Sequence, residues 1–100
     1  MFVPSSKSAS MPIVRWTDEA LADLEEIADY IAARNPFAAV RLQELIERAA
    51  EQLAAHPYIH RPGRISDTRE AVVHPNYILV YRVGDVIEIV SVLHARQQYP

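Results

Sequence analysis

The residues of this chain that could do chemistry crowd into its second half. All four His lie between positions 56 and 94, and five Arg stand at 61, 64, 69, 82 and 96. The run His94, Arg96, Tyr99 offers an imidazole, a guanidinium and a phenol. Arg and aromatic side chains carry much of the energy of protein contacts, so these three are the candidates for gripping a target. His74, Glu70, Tyr81 and Glu88 hold residue types suited to acid–base or metal chemistry. His56 and His60 have the (i, i+4) spacing of a helical metal pair, but Pro57 lies between them and no HExxH occurs. Neither a metal nor a cofactor is expected. Arg61 and Arg64 flank Pro-Gly without interleaved aromatics, which reads as solvated loop charge, so direct nucleic-acid binding is not expected. Trp16 and Tyr77 read as core or strand-edge packing.

Those residues sit on 100 residues of chain, half of them hydrophobic and 23% charged. Such a length suits one domain with one core, and the apolar share argues against disorder. With no Cys there is no disulfide framework and no thiolate chemistry, and a cytoplasmic setting is the simplest expectation. No run approaches the roughly 18 apolar residues of a membrane span, so no membrane partner is expected. Residues 1–10, MFVPSSKSAS, lack the basic start and apolar centre of a secretory signal. They read as a disordered leader before a single domain at 11–100. The formal charge is −3, which excludes a polycation built to coat nucleic acid. Residues 11–55 carry four Arg against nine acids, and residues 56–100 carry five Arg against four. An anionic partner would therefore meet the second half.

The elements that must position these groups follow from periodicity. A short strand is predicted at Ile13–Trp16. Thr17 is a helix N-cap, with Asp18 and Glu19 in the first turn. Leu21, Leu24, Ile27, Ala28 and Ile31 then recur at helical spacing. Asn35-Pro36 ends that helix and starts another, which carries Ala38, Leu42, Leu45, Ile46, Ala49 and Leu53 on one stripe. Glu44 and Arg48 form an (i, i+4) pair. The short link predicts an antiparallel helical hairpin. Residues 56–68 read as a loop, followed by strands at Arg69–His74, Tyr77–Val83 and Val86–His94. Pro75-Asn76 and Gly84-Asp85 are predicted as two-residue turns. The order is β-α-α-β-β-β, an α+β fold with the hairpin on one face of a small antiparallel sheet. The first strand joins an edge or pairs with the last.

Two-residue turns sort the strands by parity. One face then carries Glu70, Val72, His74, Tyr77, Leu79, Tyr81, Glu88, Val90 and Val92. The other carries Arg69, Ala71, Val73, Ile78, Val80, Arg82, Ile87, Ile89, Ser91 and Leu93. Both are largely apolar, and two helices cover only one of them. A bare aliphatic face marks a protein interface, so a partner is expected on Arg69, Val73, Ile78, Val80, Arg82, Ile87 and Ile89. An acid from that partner would sit between Arg69 and Arg82. The alternative is that the 56–68 loop or the leader folds over this face.

The segment His74–Val83, the following β run and His94–Pro100 resemble the ParE branch of the RelE/ParE toxin superfamily. Trp16–Ile31 resembles the first helix of that family, and His56-Pro57-Tyr58 and Gly63-Arg64 fit its central loop. The resemblance spans about residues 11–100. It implies the toxin of a type II toxin–antitoxin module, the kind associated with plasmid stabilisation, neutralised by a cognate antitoxin in a hetero-oligomer. ParE-like members poison DNA gyrase by contact, whereas RelE-like members cut messenger RNA on the ribosome. Where RelE-like members typically place Lys, Lys and Arg, this chain has Arg69, Ala71 and Ile78. Only His94, Arg96 and Tyr99 keep the residue types of that chemistry. The resemblance therefore implies a non-enzymatic gyrase inhibitor. Its alternatives are a RelE-like endoribonuclease and a non-toxic interaction module.

Overall fold

The computed structural model describes residues 13–95. Strand β1 (Val14–Trp16) leads into helices α1 (Asp18–Ala32) and α2 (Pro36–Ala55). Strands β2 (Arg61–Pro62), β3 (Arg69–His74), β4 (Tyr77–Val83) and β5 (Ile87–His94) follow, and the sheet order is β1-β5-β4-β3-β2. The Thr17 side chain accepts the Ala20 N–H, as an N-cap should. Asn35 Oδ1 accepts the N–H groups of Phe37 and Ala38, so one residue both ends the link and starts α2. No helix of the described residues is long and apolar enough to cross a membrane. The Glu44–Arg48 pair is not formed: the described ion pairs involve Arg15, Arg61, Arg64 and Arg82.

The sheet is mixed, because β1 lies parallel to β5 with Val14 opposite Ile87. The expected antiparallel sheet gains a parallel edge, because the helical hairpin carries the chain across the sheet and the meander brings β5 back beside β1. The 56–68 segment is not all loop either: Arg61 and Pro62 pair with Glu70 and Arg69. Pro75-Asn76 is a two-residue turn, with His74 opposite Tyr77. The β4–β5 turn is longer than predicted, since Val83 pairs with Ile87 and leaves Gly84, Asp85 and Val86 between them. No described glycine takes a positive φ, so Gly84 is not there for left-handed geometry.

Two bulges rewrite the parity assignment. The β3–β4 register shifts between Val72 and His74, and the β4–β5 register shifts at Val80/Tyr81, leaving Val90 without an opposite residue. A bulge adds one residue to one strand, so the sequence parity of that strand's core-facing residues changes beyond it while paired residues still share a face. Ala71, Tyr77, Leu79, Tyr81, Ile87, Ile89 and Val92 consequently share the helix-facing core with Ala20, Leu42, Ile46 and Leu53. Glu70, Val72, Ile78, Val80, Arg82, Glu88, Ser91 and Leu93 fall on the opposite face by the same register.

That second face is not bare. Ile78 is 3% exposed, Val80 1% and Leu93 7%, and only Val72 stands out at 56%. Among the described residues, the loop after β2 folds toward it. The Arg64 N–H and the Arg61 guanidinium both donate to the Glu70 carboxylate, and Ile65 and Thr68 line the same groove as Val80. The loop-cover alternative thus accounts for part of what a partner was invoked to hide.

Candidate partner-binding surface

β5 outruns β1 by several residues, and the chain must satisfy the edge it leaves. Thr17 does the first part: its N–H donates to Ile89 O at 3.0 Å and its hydroxyl to Val90 O at 3.3 Å. Asp23, on the next turn of α1, does the second. Its Oδ2 accepts the Val92 N–H and the Ser91 hydroxyl, both at 3.0 Å. Side chains thus replace the missing strand, because an unpaired backbone donor at a half-buried edge is costly. The result is a groove of about 850 Å³. Glu19, Asp23, Glu26 and Tyr30 form its α1 wall, at the three- and four-residue spacing of one helix face. Val80, Arg82, Leu93 and His94 are on the sheet wall.

Arg82 in the lining of this groove belongs to one of two carboxylate-centred groups on the sheet. Glu88 accepts from Arg82 at 2.6 Å and from Arg15 at 3.3 Å, so β1, β5 and β4 are tied across the sheet. Those two hydrogen bonds hold the Glu88 carboxyl below its ordinary pKa. Glu70, with its side chain 2% exposed, sits between Arg61 and Arg64. Each group joins two Arg to one Glu and carries a net positive charge. Neither grouping was read from the sequence, where a strand Glu counts as solvent-facing. Arg15, Arg61 and Arg82 each lie on a strand beside that of their Glu, whereas Arg64 reaches Glu70 from the loop after β2.

The predicted site residues scatter. Ile87 and Ile89 are fully buried under the helices, and Val73 is half-buried against the same core. They cannot share a partner-facing surface with Ile78, Val80 and Arg82. Arg69 is not opposite Arg82, for its partner is Tyr81. The Arg69 guanidinium donates to His60 O at 2.8 Å and Tyr58 O at 3.3 Å and lies 5.0 Å from the Tyr58 ring centre. It is a clasp on the loop before β2, and no anion is needed between Arg69 and Arg82. His94 is exposed at the end of the groove, its ring edge-on to Tyr77 at 5.5 Å. Arg96 and Tyr99 lie outside the described residues. Tyr81, Glu70, His74 and Glu88 are not gathered. Tyr81 donates to Pro57 O at 2.7 Å in the core, while His74 Nδ1 accepts the Asn76 N–H in the turn.

The fold is similar to that of a solved chromosomal ParDE toxin–antitoxin system from P. aeruginosa. The match has a TM-score of 0.74 at 25% identity and covers 84% of this chain and 96% of that one. The sequence model of "ParE toxin of type II toxin-antitoxin system, parDE" matches residues 14–99. The chain belongs to the ParE toxin family of type II toxin–antitoxin systems. It is 46% identical over 88 residues to "Putative toxin Y4kP" of Sinorhizobium fredii, covering 87% of this chain and 92% of that protein. To "Toxin RelE2" of Caulobacter vibrioides it is 42% identical over 88 residues, covering 85% and 97%.

Proposed function

We propose that this toxin acts by contact on a DNA-topology enzyme of the gyrase type and is held inactive by a cognate antitoxin. The observation that carries the reading is the fate of the three positions where RelE-like members place their cations. Arg69 is spent on loop carbonyls, Ala71 is 1% exposed in the core, and Ile78 is buried on the opposite face. Cleavage of RNA needs donors and a base converging on one phosphate, and these three side chains do not converge. Arg82 in the groove lining is engaged by Glu88, an arrangement suited to exchanging one carboxylate for another at a protein contact. His94, Arg96 and Tyr99 are the residues we assign to target contact, and Arg82 with the α1 groove to the antitoxin.

The second reading is ribosome-dependent cleavage of messenger RNA, which the name of the Caulobacter relative favours. Expression without the antitoxin separates the two. Growth arrest with cleaved gyrase–DNA complexes and lost supercoiling supports contact inhibition. Site-specific cuts in ribosome-bound messages overturn it. Unimpaired growth overturns both and leaves a non-toxic interaction module.

A further inference from the structure

A second cleft opens on the other side of the hairpin, between α2 and the β3–β4 turn, with a volume of about 660 Å³. Arg41 and Arg48 line it two helical turns apart, with His74 and Asn76 at its mouth and Leu45 and Tyr77 on its apolar wall. Neither Arg has an ion-pair partner among the described residues, unlike Arg15, Arg61, Arg64 and Arg82. His74 Nδ1 is occupied as an acceptor from the Asn76 N–H at 3.0 Å. In its neutral form the remaining ring nitrogen is therefore an N–H donor. Leu45 is 36% exposed on the same helix. Free guanidiniums, a further donor and a wet apolar wall in one cleft ask for an amphipathic anion.

We infer that this cleft docks an acidic peptide segment of a partner protein, with two carboxylates on Arg41 and Arg48 and an apolar side chain between them against Leu45 and Tyr77. The inference concerns a different surface from the groove assigned above and needs no assumption about toxicity. Seven helical residues separate the Cα atoms of Arg41 and Arg48 by about 10.5 Å along the axis. A peptide in the polyproline II form rises about 9 Å in three residues, one full turn that returns the fourth side chain to the same face, so the fitting pattern is an acid, two residues, then an acid. Charge complementarity selects a peptide over a nucleic acid. Glu44 lines the cleft as well, and Glu47 and Glu51 stand exposed on the same helix. They repel a continuous phosphate backbone but leave room for two discrete carboxylates.

The test is a titration of the full-length, nitrogen-labelled chain followed by NMR of the Arg side-chain and backbone N–H signals. The probe is a 12-residue peptide with Glu at every third position and Leu or Val between. Its controls are the same peptide with Lys for Glu, inorganic phosphate, and a single-stranded RNA of ten nucleotides. Only the acidic peptide is expected to shift Arg41, Arg48, His74 and Asn76. The double change R41Q/R48Q is expected to weaken binding at least tenfold, with partial recovery in R41K/R48K. Both positions are exposed, and circular dichroism checks that the variants fold. The inference is overturned by no shift, by shifts confined to Arg15, Arg61, Arg64 and Arg82, or by unchanged binding to R41Q/R48Q. Phosphate or RNA producing the same shifts at equal affinity overturns it too.

Discussion

The carboxylate of Asp23 accepts the backbone N–H of Val92 at 3.0 Å, joining α1 to the outer edge of β5 beyond the reach of β1. The same oxygen takes the Ser91 hydroxyl at 3.0 Å, directly after the bulged Val90. A short parallel strand and a bulge together leave backbone donors on an edge that a half-buried groove cannot fully hydrate. One helix residue satisfies that edge and fixes the groove width.

Replacing Asp23 with Ala therefore leaves the Val92 N–H without its partner. Hydrogen bonds to charged groups contribute about 1.5–3 kcal/mol, and the expected loss of unfolding free energy is about 1–3 kcal/mol. Asp23→Asn keeps a carbonyl oxygen for the same N–H and should recover much of the loss. Urea unfolding reads this as a lower midpoint at unchanged slope. An Asp23→Ala chain unfolding at the wild-type midpoint removes Asp23 from the account of the edge.

How much of this was legible from residues alone divides along a physical line. Thr17 and Asn35 announced their caps because capping is local: a side-chain oxygen meets N–H groups two or three residues on. The turn at Pro75-Asn76 and most of both helix stripes were legible for the same reason, although Leu21 and Leu45 stay exposed. The faces of the sheet were not, since they depend on residues far apart. A three-residue turn at Gly84–Val86 and bulges near Val73 and at Val90 each change which side a residue faces, and none has a strong local signature. Ile87 and Ile89 were misplaced by the turn alone. Glu70 was missed because its burial depends on Arg61 and Arg64, which the loop at 63–68 brings back over β3.

That loop depends on a close approach at Gly63. The Gly63 N–H donates to Thr68 O at 2.7 Å. A Cβ built on Gly63 would collide with the Thr68 hydroxyl and stand 3.1 Å from the Thr68 carbonyl carbon. Thr68 is buried and its hydroxyl is bound to Ile65 O, so it has little freedom to retreat. Gly63→Ala is expected to cost about 1–3 kcal/mol as overpacking and to loosen the cover over Glu70 and Val80. Hydrogen exchange should quicken at Gly63 and Arg64 while Leu79 in the centre of β4 stays protected. Gly84→Ala is the control, for its nearest neighbour would be Val86 O at 3.8 Å, and it should change stability by less than about 0.5 kcal/mol. Equal behaviour of the two variants would sink the argument.

The same loop carries a pH dependence through His60. Its ring lies edge-on to Tyr81 at 6.0 Å, and its own carbonyl holds the Arg69 guanidinium. Desolvation first, and the Arg69 charge second, push the His60 imidazole below its ordinary pKa. The folded state thus prefers neutral His60, while the unfolded chain takes up a proton near pH 6.5. Between those two values the unfolded state binds more protons, so stability falls as pH drops through that window and is recovered above it. Unfolding midpoints measured between about pH 7.5 and about pH 5 should decline for the wild type and decline less for His60→Gln. The loss should show first as faster exchange in residues 58–64, because the proton enters where Tyr81, Arg69 and the Pro57–His60 carbonyls meet. A His60→Gln chain with the full wild-type slope would assign the dependence to another group and free His60 from any part in holding the loop.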